Sequence, residues 1–198
     1  MSKKIGITNY GFSGNTHSVK KALEKAGANV FIINKPLDFK QADKVVISGV
    51  GNFKDAMKVL NSNGFYEELI NYKKPILGIC LGMQVLSTLG FEYGKTKGLC
   101  LIEAEVKEMI CEAKVPHMGF NKIDVTHPNI LLEGVENEEF YFMHSYEVVN
   151  YTNITSLTEY GGHSFVSSIK KNNIYGTQFH PEKSREAGIK LLSNFINL

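Results

Sequence analysis

The stretch Gly78-Ile79-Cys80-Leu81-Gly82-Met83-Gln84 follows directly on the apolar run Pro75 to Ile79, and a helical pattern begins from Met83 toward Leu89. A short apolar run of this kind reads as a buried strand, so Cys80 falls at a strand-to-helix corner. A nucleophile at such a corner is held in a strained, exposed conformation, and the glycines on either side let the backbone turn sharply. The positive end of the following helix favours thiolate over thiol, and its first backbone N–H groups are placed to donate to a developing oxyanion. A lone cysteine is more often an inert buried residue, but the Gly-x-Cys-x-Gly-x-Gln setting favours the reactive reading. Cys100 and Cys111 have no such setting and are expected to be inert.

The same alternation of strand and helix extends upstream of this corner. Lys4 to Asn9 is a short apolar run ending in the turn-rich Tyr10-Gly11-Phe12-Ser13-Gly14-Asn15. Val19, Ala22, Leu23 and Ala26 then recur at helical spacing before Gly27. Ala28 to Ile33 and Lys44 to Ile47 read as strands, and Lys54 to Leu60 and Phe65 to Asn71 as short amphipathic helices. Strands separated by helices imply a largely parallel sheet covered on both faces. After Gly98 the pattern changes. Leu101 to Met109, Asn121 to Val125, Glu139 to Phe142, Glu147 to Val149, Ser164 to Ile169 and Asn173 to Gln178 read as strands with few helices between them. Ala187, Leu191, Leu192 and Phe195 then form an amphipathic C-terminal helix. With no repeat, low-complexity segment or linker, the 198 residues are expected to form a single domain, 1–198.

Composition narrows the function. The chain is 43% hydrophobic and 21% charged, with a formal net charge of +2, which gives no broad electrostatic reason to bind nucleic acid or an anionic membrane. No apolar run approaches the roughly 20 residues of a bilayer span. The start Met1-Ser2-Lys3-Lys4 runs straight into the first strand, so no signal peptide is expected. Three cysteines are too few, and odd in number, for a disulfide framework and suit a reducing, cytoplasmic location. His17, His127 and His163 lack metal-like spacing with cysteines or carboxylates, so no metal is assigned.

A thiol nucleophile needs a base, and the base needs an orienting acceptor. Gly176-Thr177-Gln178-Phe179-His180-Pro181-Glu182 offers both directly after an apolar strand. Pro181 fixes the turn so that Glu182 can fold back to one imidazole nitrogen while the other faces Cys80. The glutamate then fixes the tautomer and stabilises the imidazolium. Alone, His-Pro-Glu would read as a strand-ending turn with a surface carboxylate; with the cysteine corner it reads as catalytic.

The cysteine corner and the His-Pro-Glu turn, in this order and a hundred residues apart, resemble the class I (triad) glutamine amidotransferases. Ser48-Gly49-Val50-Gly51-Asn52-Phe53, Val115-Pro116-His117-Met118-Gly119-Phe120-Asn121, Tyr141-Phe142-Met143-His144-Ser145-Tyr146 and Gln178 to Ser184 narrow the resemblance to one group. They are similar to the glutaminase subunits of imidazole glycerol phosphate synthase, over Ile5 to Phe195. The resemblance implies a flavodoxin-like, three-layer α/β fold with a central mixed, largely parallel sheet. It implies hydrolysis of glutamine to glutamate and ammonia, without a cofactor, by Cys80, His180 and Glu182. An oxyanion would be held by the N–H of Leu81 and by Gly49-Val50-Gly51, a strand that in this family reorients before it can donate. Gln84 and Glu92 match positions that grip the amino-acid end of glutamine, and His144-Ser145-Tyr146 a strand that touches substrate through its backbone. Asn15, His117, Met118 and Phe120 would face a synthase subunit, a (β/α)8-barrel cyclase of the HisF type that uses the ammonia in histidine biosynthesis. On composition alone Gln84 also reads as a helix-surface amide, Gly90 to Gly94 as a solvated loop, and His117 to Asn121 as an ordinary strand.

The chain departs from that group at Asn9, where an aspartate is usual, and at Phe12-Ser13, which lengthens the turn by one residue. Ser48 stands for a proline, Asn52 for an alanine and Phe120 for a tryptophan. None of these touches Cys80, His180 or Glu182. They bear on the partner instead, and leave open a paralogue that feeds ammonia to a sugar amidotransferase in surface-polysaccharide synthesis. A stand-alone thiol hydrolase is a further alternative, against which Gln84 and Glu92 argue.

Overall fold

The structure, a computed structural model, describes residues 3–9 and 15–198. Most of the turn Tyr10 to Asn15, including the extra Phe12-Ser13, lies outside the described residues. The first half alternates as the sequence pattern predicts: β1 (Lys4–Thr8), α1 (Thr16–Lys25), β2 (Asn29–Ile33), β3 (Lys44–Gly49), α2 (Phe53–Ser62), α3 (Phe65–Asn71), β4 (Ile76–Cys80) and α4 (Leu81–Val85). Short strands follow: β5 (Leu89–Gly90), β6 (Thr96–Lys97), β7 (Glu105–Glu108), β8 (His117–Lys122), β9 (Asp124–Val125) and β10 (Glu139–His144). The chain closes with β11 (Tyr146–Val149), β12 (Ile154–Tyr160), β13 (His163–Lys171), β14 (Ile174–Thr177) and helix α5 (Arg185–Asn197).

The main sheet has the order β2-β1-β3-β4-β14-β13-β12-β9. Its pairs from β2 to β14 are parallel, and those from β14 outward are antiparallel. Strands β3 and β4 are buried along their whole length, as central parallel strands must be when helices cover both faces. Alternate residues feed two cores. Val45 and Ile47 pack with α2 and α3 through Ala56, Leu60 and Phe65, whereas Val46, Leu77 and Ile79 pack with α1 and α5 through Leu23, Leu191 and Phe195. These are the outer layers of the three-layer α/β fold that the sequence implied. The last carbonyls of α5 lack the i+4 donors of the helix interior, and buried Lys44 reaches across from β3 to those of Phe195, Ile196 and the adjoining Leu198, at 2.7–2.9 Å. Burial pushes the Lys44 pKa down to about 8. No helix among the described residues is long and apolar enough to cross a membrane.

The expected strand Leu101 to Met109 is reduced to β7, and β5 and β6 add to the pattern. Three further differences have identifiable reasons. The helix after Cys80 stops at Val85 instead of running toward Leu89. The carbonyls of Val85 and Leu86 are taken by the N–H groups of Leu99 and Leu101, at 2.8 and 2.9 Å, which ends the helical ladder. The run Asn121 to Val125 is split between β8, which starts at His117, and β9. Strand β12 carries little apolar alternation because its buried partners are hydroxyls: Thr155 meets Ser168 at 2.7 Å and Ser156 meets Ser167 at 2.8 Å.

Candidate active site

Cys80 is the last residue of β4, at φ 52° and ψ −109°. This is a left-handed backbone that a side-chain-bearing residue adopts at a cost of order 1–3 kcal/mol. Two glycines make the corner possible. A Cβ at Gly82 would collide with the Ile47 carbonyl oxygen, and a Cβ at Gly78 would lie 2.5 Å from the Gly82 carbonyl oxygen. The sheet register then assembles the site. Gly49 of β3 pairs with Cys80 on one side, and Thr177 of β14 pairs with Ile79 on the other. Three parallel strands therefore end together, and Cys80 stands at their carboxyl ends, where ligands bind in open α/β sheets. Because α4 is only five residues long, the backbone N–H groups at the corner, more than a long helix dipole, are what an oxyanion would meet.

The next segment brings the histidine. Beyond β14 the backbone of His180 donates to the Tyr141 carbonyl at 2.8 Å, and its own carbonyl accepts from the Ser184 hydroxyl at 2.6 Å. Pro181 opens a single 3-10 turn, Pro181–Lys183, that carries Glu182 back over the imidazole. Glu182 Oε1 accepts from His180 Nδ1 at 2.7 Å, with both side chains fully buried. A carboxylate can only accept, so Nδ1 carries its proton and Nε2 is left to face the cysteine. Nε2 is buried and makes no hydrogen bond in this structure. Burial alone would lower the His180 pKa. The Cys80 sulfur and the Glu182 carboxylate outweigh it and lift it to about 10.

Above Cys80 lies a cleft of about 200 Å³ lined by Val50, Gly51, Leu81, Gln84, Glu92, His144, Ser145 and Tyr146. Sites for drug-sized ligands run to ~300–1,000 Å³; this one suits a single amino acid. Gln84 is 4% exposed and not a helix-surface amide. Glu92 Oε2 accepts from the Phe53 N–H at the start of α2, 2.8 Å away, and burial pushes its carboxyl up against that hydrogen bond. Of Gly90 to Gly94 only Glu92 lines the cleft, while Phe91 and Tyr93 are exposed. Gly49 does not line the cleft but ends the strand that places Val50 and Gly51 there. At Gly51 φ is +122°, a value open to glycine. Asn52, the departure from alanine, caps α2 by accepting from the Asp55 N–H at 2.8 Å.

The expected partner surface divides. Met118 and Phe120 are exposed, 59% and 37%, with Arg185 stacked 4.3 Å from the Phe120 ring. Asn15 and His117 are not surface residues, and that expectation is corrected. Asn15 is 2% exposed and donates through Nδ2 to Glu182 Oε1 at 2.7 Å, so it sits behind the histidine turn. His117 is 2% exposed and stacks between Tyr160 and Phe142, with centroids at 3.9 and 4.8 Å. Inward-facing residues of β8 and β10 are packed regardless of polarity, whereas Met118 and Phe120 fall on the outward face. A residue not singled out beforehand also appears: Gln178, fully buried, donates through Nε2 to Cys80 Sγ at 3.5 Å. Its sequence signal is an amide two residues before His180, at the end of the apolar run Ile174 to Thr177. Among the described residues no group of three or more His, Cys, Asp or Glu is placed to hold a metal ion.

An α/β sheet that ends at a strained cysteine, beside a histidine held by a carboxylate, brings a thiol, an imidazole and a carboxylate together next to one cleft. Residues 9–198 match the family model of class I glutamine amidotransferases, and the chain belongs to that family. It is 47% identical over 193 residues to imidazole glycerol phosphate synthase subunit HisH 1 of Campylobacter jejuni (strain RM1221), covering 94% of this chain and 96% of that one. Against subunit HisH of Desulfitobacterium hafniense (strain DSM 10664 / DCB-2) it is 43% identical over 197 residues, with 96% and 92% covered. The fold is shared with PurLQS from Thermotoga maritima at a TM-score of 0.77 and 15% identity, covering 100% of this chain and 99% of that chain.

Proposed function

We propose that this chain is the glutaminase subunit of an imidazole glycerol phosphate synthase, with Cys80 as nucleophile. The observation that carries the reading is His180, held at 2.7 Å by Glu182 and within electrostatic reach of Cys80, whose sulfur lines an amino-acid-sized cleft. Cys80 Sγ attacks the side-chain carboxamide carbon of glutamine, and the carbonyl oxygen becomes an oxyanion beside the N–H of Leu81 and the Gly49-Val50-Gly51 strand. The C–N bond then breaks as His180 gives its Nε2 proton to the departing ammonia, leaving a glutamyl thioester. His180, now neutral, takes a proton from water; hydroxide adds to the thioester, and collapse expels the Cys80 thiolate, releasing glutamate and one proton to solvent and restoring the thiolate–imidazolium pair. Gln84, Glu92 and the His144-Ser145-Tyr146 backbone hold the amino-acid end of the substrate. Ammonia passes to a (β/α)8-barrel cyclase, for which Met118 and Phe120 form part of the docking face. Three unpaired cysteines suit a reducing compartment, and we place the protein in the cytoplasm as a single domain.

Phe120 in place of the usual tryptophan, covered by Arg185, keeps a second reading in play, a paralogue serving a sugar amidotransferase. The test is stimulation. Mixed with a barrel cyclase and its nucleotide substrate, the chain is expected to turn over glutamine and yield the cyclised product. Stimulation by a sugar amidotransferase and by no cyclase would redirect the ammonia and leave the glutaminase reading standing.

A further inference from the structure

The donor directions around Cys80 can be assigned without choosing any amide orientation. The Tyr146 carbonyl cannot donate, and it accepts from Gln84 Nε2 at 2.8 Å and from His144 Nδ1 at 3.0 Å. Gln84 must therefore present its NH2 there, and the same nitrogen lies 3.1 Å from the Gln178 side chain. A donor needs an acceptor, so that atom is Gln178 Oε1. The other end of the Gln178 amide, its NH2, is then forced toward Cys80 Sγ at 3.5 Å. Three elements meet in this chain: β11, α4 and the bend after β14. The Gln178 backbone is itself pinned by its N–H to the Ser167 carbonyl at 2.9 Å. Both N–H groups of Gln84 are spent, which leaves Gln84 Oε1 to face the cleft as an acceptor.

The sulfur sits between opposed neighbours. Met143 offers it a carbonyl acceptor at 3.8 Å, which suits a thiol hydrogen, and Gln178 offers a donor, which suits a thiolate. We propose that Gln178 is a positioning residue for the nucleophile: its N–H holds the Cys80 sulfur in its anionic form and aims it into the cleft, while Gln84 fixes the direction of that N–H. The proposal deepens the glutaminase reading and rests on it for catalysis, but its decisive measurement does not need glutamine.

The measurement is the pH dependence of Cys80 alkylation by iodoacetamide on the full chain, read at the Cys80 peptide so that Cys100 and Cys111 do not contribute. Gln178→Met keeps the length and removes the donor, and Gln178→Glu turns an acceptor toward the sulfur. The midpoint is expected to move upward by about half a unit or more in the Met variant and further in the Glu variant, with kcat for glutamine falling at least tenfold and KM changing less. A packing role alone would lower the melting temperature and leave the midpoint in place. Midpoints equal to wild type in folded variants, or a Glu variant below the Met variant, would overturn the proposal. If neither variant folds, Gln84→Met carries the test, because it frees the Gln178 amide to rotate. An upward midpoint there supports the proposal and an unchanged one refutes it. Wild-type protein that fails to hydrolyse glutamine with any partner would defeat the glutaminase reading while leaving this pH comparison intact.

Discussion

Three buried histidines sit close together in this molecule, and the two regions that hold them treat them oppositely. In the ribbon of β8 and β10, burial lowers His117 to about 4 and His144 to about 3. In the turn after β14, His180 is buried as deeply yet raised to about 10. The difference is the partner within hydrogen-bond reach. His117 has aromatic rings, and His144 has the Tyr146 carbonyl and two histidines that oppose its charge. His180 has a carboxylate at 2.7 Å and a sulfur. Desolvation sets the baseline, and a counter-charge decides whether a buried imidazole is pushed toward the charged or the neutral ring.

The largest effect should come from turning one kind of site into the other. Glu182→Gln leaves the shape but removes the counter-charge and the tautomer lock, so glutaminase kcat is expected to fall about a thousandfold or more. NMR titration of His180 should show its pKa moved down toward those of the ribbon. Retained activity would mean that Glu182 is structural.

Asn15 tests the next layer. Its N–H bonds Glu182 at 2.7 Å from outside the turn, and Asn15→Ala removes a charge-assisted hydrogen bond of about 1.5–3 kcal/mol. A fall of roughly tenfold in kcat is expected with the protein still folded, as read by steady-state kinetics beside a melting curve.

The ribbon predicts a stability effect instead. His117 has a folded pKa near 4, below its unfolded value near 6.5, so between those values the unfolded chain binds the proton and the folded one does not. Stability therefore falls as pH drops from about 6.5 to about 4, by up to about 1.4 kcal/mol per pH unit for this group, and levels off below. His117→Phe keeps the stacked ring and should flatten that acid limb in thermal melts across this range. An unchanged limb would show that His117 does not contribute to it.

The smallest effect concerns Ser48. Its hydroxyl is buried without a partner in β3, next to the Gly49-Val50-Gly51 segment, and Ser48→Pro should stiffen that segment. A decrease of about twofold or more in partner-independent glutaminase rate is expected. Equal basal rates would sink the idea.

The sequence disclosed one of these regions much better than the other. At the strand ends, Gly78 and Gly82 flank a cysteine because a Cβ at either position meets backbone; the chemistry and the spacing are the same signal. The parallel strands are readable for a similar reason, since burial on both faces leaves continuous apolar runs such as Val45 to Ile47. The ribbon was harder. His117, Met118 and Phe120 form one stretch in sequence, but register with β10 sends His117 inward and the other two outward. Asn15 looked like a surface residue for want of any local sign that α1 begins behind Glu182. Strand β12 gives no apolar alternation to read, because hydroxyl pairs occupy its buried positions.

The account stands most directly on where a glutamine-like electrophile goes. Incubated with a γ-diazoketone analogue of glutamine, the full chain is expected to be alkylated at Cys80 alone, with protection by glutamine and no labelling of Cys80→Ser. Labelling at Cys100 or Cys111 instead, or equal labelling of the Cys80→Ser protein, would contradict it.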